Sequence, residues 1–488
     1  MAARSSSAAA LFCALAYALV GSTGCGDPQP VNLILIVADT VRADRLGSYG
    51  YSRHTTPGLD ALARRGLRFE NVASTSSWTV PAHSSMFTGL PPIIHGATQE
   101  HNMLSDRYST LAEILREHGY TTLGVSDNPL VSTKTGLSRG FDTFVESWRE
   151  RDKDRPRPSP NEHQNLLAAR ALLGEFDGDG AFFLYVNYME AHARYDPPEP
   201  YRSRFLLAEP SPEDAELVSS QKVTRFYLDR PAFNTDVMAA IDNLYDGEIA
   251  YVDALVSGFV EDLERAGYLD NAAVFVMSDH GESLGEHDHF RHVFQLYRES
   301  VRVPLIALLP DGARAGEVER RPASVIDLFP TLLGLAGVPL PPGQDAGRDL
   351  LTLGASTDDA PQISEYYYPL QALSRFKSGT NASATLDPYR RRLRAVEHGG
   401  MRMIYSSNGP PQLFDLTRDP GEEVDLAGDP AWSAELQRLE GMLADYVAAA
   451  GGEPPLSARV LEEGSTLPAF EKLDADEIHR LRELGYIP

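Results

Sequence analysis

Short apolar runs alternate with segments of helical periodicity along most of the chain. Val31 to Ala38 is apolar except for one asparagine and leads directly into Asp39, and residues 182–188 and 273–277 are similar runs. A strand that is apolar on both faces is typical of a parallel sheet covered by helices. Between the last two runs, residues 241–266 place apolar side chains at helical spacing. This alternation predicts an α/β domain.

The pattern changes in the last third of the chain. Around residues 347–361 the composition shifts, and residues 401–405 and 413–416 form a predicted pair of strands about an Asn-Gly-Pro turn. Asp474 and Glu477 form a predicted capping box at the start of a final helix. We therefore predict a main domain over residues 31–355 and a smaller C-terminal α+β subdomain over residues 356–488.

The first 25 residues have the features of an export signal. Arg4 precedes a nearly unbroken apolar run from Ala8 to Val20, which is short for a membrane span. Ser22-Thr23-Gly24-Cys25 loosely resembles a lipoprotein cleavage site, although Ser22 departs from the usual leucine. Lipid attachment at Cys25, simple secretion and a retained N-terminal anchor are left open. The expected location is outside the cytoplasm, as a periplasmic, outer-membrane lipoprotein or secreted protein.

Cysteine usage and charge exclude several classes of function. The only cysteines are Cys13 and Cys25, so residues after 25 contain no disulfide and no catalytic cysteine. The formal net charge is −25, which argues against a nucleic-acid partner. An anionic substrate would have to be attracted by a local cation such as a bound metal. A membrane contact is expected only through an N-terminal lipid anchor.

Two predicted strands end in acidic residues. Asp39 closes the first strand, and Asp279-His280 follows the run 273–277. In parallel sheets the ligand site lies at the carboxyl ends of the strands, so these side chains are expected to converge. Two carboxylates and an imidazole suit a divalent cation. The alternative is that each aspartate only caps a turn.

A polar helix start provides a candidate nucleophile. Thr79 begins a predicted helix in the segment 77–89, and Pro81 lies in its first turn. A hydroxyl there lies at the positive end of the helix, and a nearby metal would lower its pKa. The alternative is that Thr79 only caps the helix.

Ordered segments of the chain resemble those of the sulfatase family of the alkaline phosphatase superfamily. Thr79-Val80-Pro81-Ala82-His83 looks like the family signature C/S-x-P-x-R, with threonine at the position of the cysteine that becomes formylglycine. The other matching segments, in order, are residues 31–47, 56–60, 188–198, 245–249, 278–282, 300–305 and 413–420. The resemblance implies a doubly wound, mostly parallel sheet and hydrolysis of a sulfate or phosphate ester.

The resemblance also implies roles for individual residues. It implies four ligands of one divalent metal ion: Asp39, Thr79, Asp279 and His280. It implies four catalytic side chains: Thr79 as nucleophile, His83 at the position of the signature arginine, and His192 and His292 beside the transferred group or the leaving oxygen. We expect Ca²⁺ or Mn²⁺ first, with Mg²⁺ or Zn²⁺ as alternatives.

The chain departs from the family pattern at several positions. Thr79 cannot become formylglycine, Thr40 replaces a second acidic ligand, and residues 124–129 replace a lysine- and histidine-containing sulfate clamp. These departures resemble phosphotransfer relatives such as phosphodiesterases and lipoteichoic-acid synthase-like enzymes. A second metal set is not evident near Glu190 to His192.

Two alternatives remain at this point. Gly281 to Gly285 satisfies the G-x-S-x-G pattern of serine esterases, but no strand runs directly into its serine, so the match is interpreted as accidental. A non-catalytic, sulfatase-like binding lipoprotein would also account for the missing cysteine and arginine.

Overall fold

The computed structural model describes residues 30–150, 157–178, 180–206, 209–210, 227, 234–352, 360–374, 386–456, 470, 473–484 and 486. The predicted export signal at residues 1–25 and the predicted domain boundary after residue 355 lie outside these ranges, so both stay predictions. Within the described residues, no helix is both long enough and apolar enough to cross a bilayer.

Strands and helices alternate along the first two thirds of the described chain. The strands are β1 (Asn32–Ala38), β2 (Leu67–Ala73), β3 (Thr121–Ser126), β4 (Thr143–Glu146), β5 (Phe182–Tyr188), β6 (Ala272–Met277), β7 (Ser283–Leu284), β8 (Phe290–Arg291), β9 (Arg302–Leu308), β10 (Val318–Glu319), β11 (Ala323–Ser324), β12 (Gln362–Tyr366), β13 (Leu393–His398), β14 (Met401–Ser406) and β15 (Gln412–Asp415). The α-helices are α1 (Pro57–Arg65), α2 (Thr79–Thr88), α3 (Pro92–His95), α4 (Leu111–Glu117), α5 (Gln164–Glu175), α6 (Tyr201–Phe205), α7 (Thr235–Arg265), α8 (Arg298–Val301), α9 (Leu328–Ala336), α10 (Leu370–Ser374), α11 (Ser433–Ala449) and α12 (Ala475–Glu483).

The central sheet has nine strands in the order β10-β2-β9-β6-β1-β5-β3-β4, with β11 beside β2. Only β9 runs against the others among these described strands, because it pairs antiparallel with both β2 and β6. β1 is almost fully buried, as its two-sided apolar pattern predicts. The α/β, doubly wound and mostly parallel fold is confirmed.

The C-terminal subdomain is built on a second, antiparallel sheet of β12 to β15. The predicted pairing of the two strands around the Asn-Gly-Pro turn is confirmed, with Met401 opposite Asp415. α11 packs Leu439 and Leu443 on this sheet in a separate small core. The capping box of α12 is also confirmed, since the Glu477 backbone N–H donates to Asp474 at 2.8 Å.

The serine of the G-x-S-x-G match does not lie on a nucleophile elbow. Ser283 is in the two-residue strand β7, which pairs with β8, and its hydroxyl donates to Glu299 at 3.0 Å. A nucleophile elbow requires a strand-to-helix turn at the serine. The interpretation of this motif as accidental is therefore confirmed.

Strand order decides which loops can meet. β6, β1, β5 and β3 are neighbours and run in the same direction. Their carboxyl ends therefore lie at one edge of the sheet, where open α/β sheets bind ligands. The loops after these four strands supply Asp39, Asn128, His192 and the pair Asp279-His280, and α2, which follows β2, supplies Thr79 and His83.

Candidate active site

Asp39, Asp279 and His280 form a buried cluster at this edge of the sheet. Their ligand atoms all lie within 4.8 Å of one another, and each side chain is fully buried. Burial and the nearby Asp279 raise the pKa of Asp39 well above its ordinary value, although a hydrogen bond from Asn128 opposes this. That bond joins Asn128 Nδ2 to Asp39 Oδ2 at 2.6 Å.

The donor atoms of this cluster fit a divalent cation. Asp39 Oδ1 and Asp279 Oδ2 are buried and accept no hydrogen bond. His280 Nδ1 donates to the Gly281 carbonyl at 3.0 Å, so Nε2 carries the lone pair and lies 3.4 Å from Asp279 Oδ2. Metal-binding histidines commonly have this arrangement, with the second ring nitrogen on a backbone carbonyl. Uncompensated buried carboxylates are costly, and a cation would offset that cost.

Thr79 lies beside the cluster at the start of α2. Trp78 is the N-cap residue in extended conformation, and Thr79 is the first helical residue. Its hydroxyl makes no capping bond to the helix and instead donates to His280 Nε2 across 3.4 Å. The structure therefore brings together all four residues predicted as metal ligands, and the alternative of a simple helix cap does not describe Thr79.

Thr40 is the residue that the resemblance places at a second acidic ligand. It has a φ of 59°, which is rare for a β-branched residue and signals local strain at a site. In this conformation its backbone N–H donates to Asp279 Oδ1 at 3.3 Å, and its hydroxyl donates to the Asp39 carbonyl at 2.8 Å. Thr40 thus supports the two aspartates through hydrogen bonds.

His83 lies on the interior side of the cluster. Its Nδ1 donates to the Thr79 carbonyl at 3.1 Å and lies 3.5 Å from Asp279 Oδ2, while its ring packs against Phe87 and Tyr185. Burial lowers the pKa of His83, so it does not carry the permanent charge of the arginine that the resemblance places there. Its catalytic role stays a prediction, and its contacts favour support of Asp279 and Thr79.

His192 and His292 lie together beside His280. Their ring centroids are 5.0 Å apart, and the His280 and His292 rings are 4.6 Å apart. His292 Nδ1 donates to Glu282 at 3.0 Å. This bond makes Nε2 the ring nitrogen that can take part in catalysis. Burial, followed by the nearby His292, lowers the pKa of His192 well below its ordinary value. The structure thus gathers every residue predicted for the site at one edge of the sheet.

Three residues in contact with the predicted site were missed by the sequence analysis. Asn128 follows β3 and contacts Asp39, and the rule that located Asp39 could have found it. Glu282 holds His292, and burial raises the pKa of its carboxyl group. Tyr486 donates its hydroxyl to His192 Nε2 at 2.9 Å, a contact between residues 294 positions apart that no sequence pattern indicates.

A second buried cluster contains Asp127, His163 and Glu190. His163 Nδ1 accepts from the Asn165 backbone at 3.3 Å, so Nε2 carries the proton and donates to Glu190 at 2.7 Å. A protonated nitrogen cannot bind a metal ion. This hydrogen bonding therefore describes a histidine–glutamate pair rather than a ligand set.

Comparisons with known proteins agree with this geometry. The sequence model of the family described as Sulfatase matches residues 31–338, and that of "N-sulphoglucosamine sulphohydrolase, C-terminal" matches residues 285–448. The chain is 27% identical over 480 residues to the multifunctional alkaline phosphatase superfamily protein PehA of Trinickia caryophylli, covering 83% of this chain and 92% of that protein. It is 27% identical over 492 residues to human arylsulfatase A, covering 90% and 92% of the two chains.

A solved structure shares the fold. The phosphonate monoester hydrolase of Agrobacterium radiobacter superposes with a TM-score of 0.68 at 22% identity, over 85% of this chain and 96% of that one. The family match covers more than half of the chain and includes all the strands that carry the site. The chain belongs to the sulfatase family of the alkaline phosphatase superfamily, whose enzymes use a divalent metal ion, and it is a hydrolase of sulfuric or phosphoric esters.

Proposed function

We propose that the protein hydrolyses an anionic phosphate or sulfate ester with the Thr79 hydroxyl as nucleophile. The observation that carries this proposal is the position of that hydroxyl, 3.4 Å from His280 Nε2 beside the buried aspartates. Asp39, Thr79, Asp279 and His280 would hold a divalent ion, Ca²⁺ or Mn²⁺ before Mg²⁺ or Zn²⁺. When bound, the ion supplies a Lewis acid that lowers the pKa of the hydroxyl and neutralises charge on the non-bridging oxygens.

Each side chain has a separate role in the proposed reaction. The Thr79 hydroxyl loses its proton to solvent, its Oγ1 forms a bond to phosphorus or sulfur, and the bond from that atom to the ester oxygen breaks. His292 Nε2 gives a proton to the departing alkoxide, and Glu282 stabilises the charged ring that precedes this step. The resemblance places His192 beside the transferred group or the leaving oxygen. Water then cleaves the threonine ester and returns Thr79 to its starting state.

Phosphorus esters are the preferred substrate class. A threonine ester of sulfate lacks the elimination route that formylglycine offers, so water must break a bond to sulfur itself. Residues 124–129, at the position of the sulfate clamp, contain no lysine or arginine.

The test is a panel of esters that share one leaving group. The panel contains 4-nitrophenyl phosphate, bis(4-nitrophenyl) phosphate, 4-nitrophenyl phenylphosphonate and 4-nitrophenyl sulfate. We expect the metal-loaded protein to hydrolyse a phosphorus ester at least about tenfold faster than the sulfate, a difference of about 1.4 kcal/mol in barrier. Release of 4-nitrophenol measures the rate. A faster sulfate would overturn the preference for phosphorus.

The alternative of a non-catalytic binding module rests on the missing cysteine and signature arginine. Turnover of none of the four esters, by protein shown to bind the metal ion, would favour it. The Thr79 hydroxyl lies beside the intact cluster of Asp39, Asp279 and His280. This argues against the alternative, because a module that only binds has no need of a nucleophile beside the cation site.

The His292 side chain provides a separate prediction. His292→Ala should lower the rate for a phenyl ester by about 10²- to 10³-fold, because phenolate needs a proton to leave. The loss should be smaller for the 4-nitrophenyl ester, whose leaving group is stable without one. Steady-state kinetics on both esters measure the difference, and His118→Ala, at an exposed histidine, is the control. Equal losses for the two esters would contradict the role as acid.

We also propose that the protein acts outside the cytoplasm on its anionic ester, without a nucleic-acid partner. The signal-like residues 1–25 and the net charge of −25 support this. A membrane contact would come only through lipid on Cys25.

A further inference from the structure

A residue from the far end of the described chain completes the buried side of the active site. Tyr486 is 1% exposed and donates its hydroxyl to His192 Nε2 at 2.9 Å. His192 can accept this bond because its Nδ1 donates to the Ala193 carbonyl at 2.8 Å. The Tyr486 ring also contacts the Trp78 ring, with centroids 5.9 Å apart. Because Trp78 directly precedes Thr79, the ring of Tyr486 lies close to the proposed nucleophile.

Charge pairs attach α12, which precedes Tyr486, to the body of the protein. Arg149 reaches Asp474 and Glu477, both at 3.0 Å, and Lys134 reaches Glu477 at 2.5 Å. One turn later α12 supplies the positive partner instead, because Arg480 lies 3.6 Å from Asp127. Asp127 lies in the loop after β3 that also supplies Asn128 to Asp39. The attachment therefore fixes α12 beside the site.

A backbone hydrogen bond joins Tyr486 to the last turn of α12. Leu481 and Leu484 are buried, and the Tyr486 backbone N–H donates to the Leu481 carbonyl at 2.7 Å. This turn directs the tyrosine ring inward. Tyr486 is thus fixed by a backbone hydrogen bond, an aromatic contact and a hydroxyl hydrogen bond. A side chain fixed in this way belongs to the structure of the site rather than to the surface.

The Tyr486 ring borders the histidines that the proposed function places beside the reacting ester. His292 is the proposed acid for the leaving oxygen, its ring centroid lies 5.0 Å from that of His192, and Tyr486 bonds to His192. Thr79, His192 and His292 are each at most 3% exposed, so the space beside them is limited. A leaving group that departs next to these histidines must pack against Tyr486 or displace it.

We propose that Tyr486 is a specificity-determining residue that forms the wall of the leaving-group pocket and restricts the enzyme to esters of small alcohols. This inference rests on the proposed function, since it concerns the alcohol released at the same site. The ring supplies the bulk, and the backbone bond to Leu481 and the contact with the Trp78 ring hold that bulk in place.

The test compares two esters whose leaving groups differ in size but are of similar acidity. The probes are phenyl phosphate and 1-naphthyl phosphate, or the two sulfates if sulfate is the faster class. Tyr486→Ala should raise the naphthyl-to-phenyl ratio of kcat/KM by about tenfold or more, because a pocket wall has been removed. Tyr486→Phe keeps the ring and should keep the wild-type ratio. Tyr405→Ala, at a tyrosine 37% exposed on β14, is the control.

A second measurement does not depend on turnover. Diethyl pyrocarbonate labels accessible histidines, and mass spectrometry locates the label. His192 should resist labelling in the wild type and in Tyr486→Phe but label readily in Tyr486→Ala, while circular dichroism checks the fold. If the alanine variant is misfolded, Tyr486→Leu replaces it, because leucine keeps the apolar contact while shortening the side chain.

The outcomes separate the two proposals. If Tyr486→Ala is active and its naphthyl-to-phenyl ratio of kcat/KM equals that of the wild type, Tyr486 is not a wall of the leaving-group pocket. Equal labelling of His192 in all variants would lead to the same conclusion. If the wild type hydrolyses none of the esters, the proposed function fails and the labelling result alone decides whether Tyr486 covers His192.

Discussion

Thr79→Ala abolishes ester hydrolysis, with an expected loss on the order of 10⁴-fold or more, as for other enzymes that lose a nucleophile. The hydroxyl contacts His280 and makes no capping bond to α2, so its removal leaves the helix start unchanged. The loss should therefore appear in kcat, with little change in the melting temperature of the chelated protein. Thr79→Ser keeps a hydroxyl and should retain measurable turnover.

A matched control is available in the same helix. Thr88 is also buried, and its hydroxyl donates to the Ser84 carbonyl at 2.6 Å inside α2. Thr88→Ala removes an equivalent group away from the cluster and should keep activity near the wild-type level. A direct check is acid quenching during turnover, after which the Thr79 peptide should carry the transferred group. Activity of Thr79→Ala within tenfold of the wild type would refute the nucleophile.

Exhaustive chelation inactivates the enzyme completely and reversibly, which is the second large effect. Two buried aspartates, each with an oxygen that accepts no hydrogen bond, face the Nε2 lone pair of His280 in a site that suits a cation. Binding of the ion should also stabilise the fold, by about 2.7 kcal/mol at a hundred times its dissociation constant. The melting temperature should rise as Ca²⁺ or Mn²⁺ is added to the chelated protein.

Asp279→Asn should remove both responses, because the amide places a neutral group where a ligand carboxylate is needed. Asp106→Asn, at an exposed aspartate outside the cluster, should keep them. Turnover at the wild-type rate after metal analysis shows that no ion is left would end the claim of a metal centre. A rise in melting temperature that is unchanged in Asp279→Asn would place the ion elsewhere.

The sequence by itself determined the sheet and the acidic residues at its edge. Strands such as β1 are apolar on both faces, and this pattern is typical of a parallel sheet covered by helices, which brings Asp39 and Asp279-His280 to the same edge. Local composition likewise determined that a helix begins at Thr79. These features depend on residues that are close along the chain, so periodicity and strand ends are enough to predict them.

The tertiary structure alone decided what surrounds those residues. The bond of Tyr486 to His192, the hydrogen bond of Asn128 to Asp39 and the inward position of His83 depend on strand order and on how loops fold over the sheet. No local pattern encodes contacts between residues far apart in the chain, because many arrangements of the same helices and strands satisfy the same periodicity. The physical reason is that a parallel sheet by itself brings the residues at its strand ends together, whereas the contacts around those residues depend on how distant segments pack against one another.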